Sequence, residues 1–150
     1  MADRVDQLFQ EWQQLGGRVL LAESLPDVPI RSPEEVIAES TAYCRQSGRL
    51  TWIVLDWLIR NIQRVDVSKL LQLTRQYGDL SVLGVLCDAA QQRQPHPKFA
   101  RLMRSCRPAQ PLAPFFHRVA KSRLALKLTQ EGALDVFRRW GYLSNELRYL

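Results

Sequence analysis

The chain has 150 residues, 46% hydrophobic and 24% charged, with a formal net charge of +6. These proportions fit a globular protein and exclude disorder throughout, a collagen-like repeat and a disulfide scaffold. Leu (23) and Arg (17) lead the composition, and straight-chain residues outnumber β-branched and aromatic ones, which favours helix over strand.

Val5, Leu8, Phe9, Trp12 and Leu15 recur at three and four residues and predict a first helix, stopped by Gly16-Gly17. Met1 to Asp6 lacks the basic and apolar regions of a secretory leader, so a cytoplasmic chain is expected. Arg18 to Ala22 reads as a short strand, at Val19 to Leu21, or a turn of helix. Pro26 and Pro29 make Leu25 to Arg31 a loop. Ser32-Pro33-Glu34-Glu35 has the form of a capping box and predicts a second helix running to about Gln46, with Gly48 near its end.

Leu50 to Ile62 is the most hydrophobic stretch, with Arg49, Asp56, Arg60 and Gln63 as one narrow polar stripe. So thin a polar edge predicts the central core helix, with Trp52, Leu55, Trp57 and Leu58 deeply buried. Asp56 and Arg60, four apart, suit an ion pair on one face. Asp66 or Ser68 caps a fourth helix, with Val67, Leu70, Leu71, Thr74 and Tyr77 inward and Gly78 at its end. Asp79 caps a fifth, with Leu80, Leu83, Leu86 and Ala90 inward. Pro97 opens a sixth, on which Phe99, Leu102, Met103 and Cys106 form an apolar stripe.

Three prolines between Arg107 and Pro114 then interrupt the chain. This is the best candidate for a subdomain boundary inside one helical domain spanning 1–150. Shorter apolar segments follow at Phe115 to Ala120, Leu124 to Thr129 and Leu134 to Trp140. The expected fold is all-α: an irregular multi-helix bundle or a short array of helix pairs, with about seven to nine short helices.

No glycine-rich phosphate loop, H-E-x-x-H, G-x-S-x-G or C-x-x-C occurs. Cys87, His96, Cys106 and His117 are the one set of potential zinc ligands, but structural zinc sites take ligands in close pairs and none of these is closer than nine positions. Buried small hydrophobes explain both cysteines, and Cys106 points into its stripe despite Arg104 and Arg107 nearby. His96, between two prolines, reads as loop. The three cysteines match no bridge framework and fit a reducing compartment. No metal and no cofactor is expected, and no apolar run approaches the ~20 residues of a membrane span.

The charge is unevenly placed. Residues 1–40 hold 3 basic and 8 acidic side chains, whereas residues 93–150 hold 12 basic and 3 acidic. No acidic residue lies between Asp88 and Glu131. Lys98, Arg101 and Arg104 step by three along one side of the sixth helix, Arg118 and Lys121 follow, and Arg138-Arg139 precede Trp140. These seven are the candidate partner- or phosphate-binding residues. The structural alternative is that the acidic N-terminal part neutralises the basic C-terminal part, with Asp135 pairing to Arg138 or Arg139 and Trp140 in the core.

A helix-turn-helix centred on Gly78 fails, because its second helix, Leu80 to Gln91, presents no Lys or Arg to a groove. The sequence therefore reads as a non-enzymatic accessory or regulatory protein that binds an acidic protein partner through its basic C-terminal part. Nucleic-acid binding through the same arginines is the alternative.

Overall fold

The structure, a computed structural model, describes residues 4–16, 31–108, 113–115 and 135–143. It is all-α. Seven α-helices fall among the described residues: α1 (Arg4–Gln14), α2 (Pro33–Thr41), α3 (Gly48–Asn61), α4 (Val67–Tyr77), α5 (Leu80–Arg93), α6 (Pro97–Ser105) and α7 (Asp135–Arg139). Short 3₁₀ turns at Cys44–Gln46 and Ile62–Arg64 flank α3. Two-residue strands β1 (Ala113–Pro114) and β2 (Tyr142–Leu143) pair in parallel, Ala113 against Tyr142. None of the described helices is long and apolar enough to cross a membrane.

The helix starts follow local chemistry. The Ser32, Asp66 and Asp79 side chains accept from backbone N–H groups in the first turns of α2, α4 and α5. Gly16, at φ +86°, follows the end of α1. The second helix stops earlier than its pattern suggests: α2 ends at Thr41, and Gly48 begins α3 instead of closing its predecessor. Ser47 decides this, because its hydroxyl accepts from the Leu50 N–H as an N-cap. His96 is likewise a cap and not plain loop, its Nδ1 accepting from the Lys98 N–H at 3.1 Å.

The helix buried on all sides is α5, not α3. Every residue from Ser81 to Ala90 is buried, and α5 packs against α3 and α6, with further contacts to α2, α4 and α7. Small residues allow this: Ser81, Gly84, Ala89 and Ala90 let neighbours approach where larger side chains would hold them away. α3 keeps one open edge, marked by the Asp56–Arg60 pair at 2.8 Å and by a half-buried Trp52. Leu55, Trp57 and Leu58 are buried as their spacing predicts. Tyr77 departs from its predicted inward position and is 41% exposed.

Residues beyond the proline-rich connector join the same core. Phe115 packs on Phe137 and Tyr142, with ring centroids 4.9 and 5.1 Å apart. Arg45, in the first 3₁₀ turn, donates to the Phe115 carbonyl at 3.0 Å and lies over the Tyr142 ring. The predicted strand at Val19 to Leu21 and the segments Phe116 to Ala120 and Leu124 to Thr129 lie outside the described residues.

Candidate partner-binding surface

α6 is a two-faced helix. Phe99 and Leu102 are fully buried on its inner face, against α5, and this fixes which side chains face outward. Arg101 and Arg104 are the outward pair, both exposed. Among the described residues no carboxylate lies within ion-pair distance of either. Arg104 Nε makes a long contact, 3.4 Å, to the Ala100 carbonyl in its own helix. The two guanidiniums line a shallow groove of about 360 Å³ whose opposite wall is Val67, Ser68 and Leu71 of α4.

α4 carries an exposed cation of its own. Arg75, one turn beyond Leu71, is exposed and close enough that its charge acts on the Cys106 thiol at the end of α6.

The other predicted cations divide. Lys98 shares its helix with Arg101 and Arg104 but is not part of their open edge. Its ammonium donates to the Gln63 and Val65 carbonyls, both at 2.8 Å, and so closes the 3₁₀ turn after α3. Arg139 is also committed. Its guanidinium donates to both oxygens of Asp88, at 2.8 and 2.9 Å, and the Trp140 indole N–H donates to the same carboxylate at 3.0 Å. Asp88, 51 residues away on α5, is therefore the carboxylate that Arg139 grips, rather than Asp135 on its own helix. The buried Asp88 charge is compensated and Trp140 is core, as its sequence position suggests. Arg138 is exposed in the last turn of α7. Arg118 and Lys121 lie outside the described residues.

Two carboxylates of the acidic N-terminal part find cations near home. Glu11 accepts two hydrogen bonds from Arg31, at 2.7 and 2.9 Å, and Glu39 pairs with both Arg4 and Arg31. Burial pushes the Glu39 carboxyl up, but hydrogen bonds from Arg4 and Arg31 outweigh it and hold the carboxyl below its ordinary range. Among the described residues, these carboxylates are not the partners of the α6 arginines. Their neighbourhood includes a second concavity of about 500 Å³ between α2 and α4, lined by Arg31, Glu35, Glu39, Tyr43 and Tyr77. Its two charge signs lie side by side, so it has no single electrostatic preference.

The potential metal ligands are spread among structural roles. Burial pushes the Cys106 thiol up to about 12 and the Cys87 thiol well above its ordinary value. His96 is engaged as a helix cap, and His117 lies outside the described residues. Among the described residues no group of three His, Cys, Asp or Glu side chains could hold a metal ion.

No protein-family model, no curated protein and no solved structure matches the chain.

Proposed function

We propose that this chain is a non-enzymatic cytoplasmic binding protein that docks an acidic protein partner on the edge formed by Arg101 and Arg104. One observation carries the reading. Arg101 and Arg104 stand exposed with no carboxylate in reach among the described residues, while the carboxylates Glu11, Glu39 and Asp88 are matched by Arg4, Arg31 and Arg139. Cations placed in this way raise the local concentration of an acidic partner and accelerate its encounter. Among the described residues the three thiols are buried and His96 caps α6, which leaves them little freedom for catalysis. Three buried, unbridged thiols suit the reducing cytoplasm.

Nucleic acid is the second reading, because arginine forks also grip phosphates. The two separate in a titration of the intact protein with a fluorescein-labelled deca-glutamate peptide, a random 12-nucleotide single strand and a random duplex. A preference for the peptide at physiological salt, weakened by Arg101→Ala/Arg104→Ala, supports the protein partner. Tighter strand or duplex binding, with a steep salt slope that this double change reduces, moves the assignment to nucleic acid.

A further inference from the structure

We infer that the apolar groove beside this basic edge receives an aliphatic side chain of the acidic partner, so that the surface recognises an acidic segment carrying one apolar anchor; the inference rests on the binding reading above. α6 has a groove on each flank. Arg101 and Arg104 face α4 on one side. On the other, Ala100, Met103 and Arg104 face Gln91 of α5 and Trp140, around about 470 Å³. Arg104 lines both, so a segment crossing α6 meets its guanidinium in either groove.

The second groove is suited to hydrocarbon. Trp140 directs its one polar atom inward to Asp88 and leaves ring carbon as wall. That wall is fixed, because the ring already rests against Gly84 of α5 at a distance that excludes even a Cβ. Met103, half-buried, supplies an adaptable wall opposite. A nucleobase needs an open aromatic face for stacking, and Trp140 is only 8% exposed. Cationic neighbours select acidic residues around the anchor; the groove selects the anchor itself.

Methionine methyl labelling tests this, because the sequence has two methionines, Met1 and Met103. The probes are ten-residue glutamate peptides with one central leucine or one central serine. The leucine peptide should bind about fivefold to tenfold more tightly, as partial burial of one aliphatic side chain gives. It alone should shift the Met103 methyl signal. Ala100→Gln, which fills the groove from a half-buried position in its lining, should bring leucine-peptide affinity down to that of the serine peptide; Met103→Ala is the second variant should the first unfold. Equal binding of both peptides, still dependent on Arg101 and Arg104, overturns the anchor groove and leaves the basic edge standing. Binding of neither peptide that responds to Arg101→Ala/Arg104→Ala overturns both. A 12-nucleotide strand that binds more tightly than the leucine peptide and shifts Met103 also overturns the inference.

Discussion

Trp140 packs so closely on Gly84 that a Cβ built at position 84 would lie 2.4 Å from its ring carbon Cε3. Glycine in the interior of a helix ordinarily costs about 1 kcal/mol relative to alanine. At this position the missing side chain is what lets the C-terminal segment dock on α5. The same helix face supplies Asp88, one turn on, to hold the Trp140 indole and the Arg139 guanidinium. Backbone clearance and buried charge therefore act on one segment together.

Gly84→Ala should destabilise the protein by about 1–2 kcal/mol, the overpacking cost exceeding the helix-propensity gain. Urea unfolding measures this. In a Trp140→Ala background the same change should become neutral or stabilising, because the obstructing ring is gone. A loss of equal size in both backgrounds would separate Gly84 from Trp140.

Arg139→Ala should lower stability by about 1–2 kcal/mol, since it strips two charge-assisted hydrogen bonds from buried Asp88 while Arg139 itself stays half exposed. It should leave peptide affinity unchanged. Lys98→Met should likewise act on stability, by releasing the Gln63 and Val65 carbonyls, and not on the salt dependence of binding.

The Glu39 cluster sets an acid limit. Its carboxyl is held below the ordinary value of 4.5, so its contribution is complete above that value and is lost as pH falls through the lower folded-state value. Thermal midpoints measured from pH 6 to pH 3 should fall less steeply in Glu39→Gln than in the parent protein. Parallel curves would remove Glu39 from the acid response.

Thiol alkylation at pH 8 should be slow for the native chain. Burial raises Cys44 and Cys106 to about 12 and Cys87 well above its ordinary value, leaving little thiolate. All three should react at the rate of a free thiol in denaturant. Rapid native modification of Cys106 would instead mark it as a reactive group.

The helix starts were legible because capping is local: Ser32, Asp66 and Asp79 each act within three residues of their own position. Gly48 was not, since glycine suits either side of a helix boundary and only the Ser47 hydroxyl fixes the choice. The centrality of α5 escaped the pattern because small residues give little contrast between faces, and what covers Gly84 arrives 56 positions later. For the candidate site, the spacing of Arg101 and Arg104 pointed to one outward edge. The removal of Arg139 by Asp88 and of Lys98 by two carbonyls depends on tertiary packing.

A charge-matched comparison separates a local basic edge from general attraction to a cationic chain. Arg101→Ala/Arg104→Ala and Arg64→Ala/Arg93→Ala remove the same formal charge from exposed positions. Association rates of the deca-glutamate peptide, measured for both variants across ionic strength, should fall for the α6 pair and lose much of their salt dependence. The Arg64/Arg93 variant should stay close to the parent. Equal losses in the two variants would mean that net charge alone attracts the peptide, and that α6 carries no binding edge.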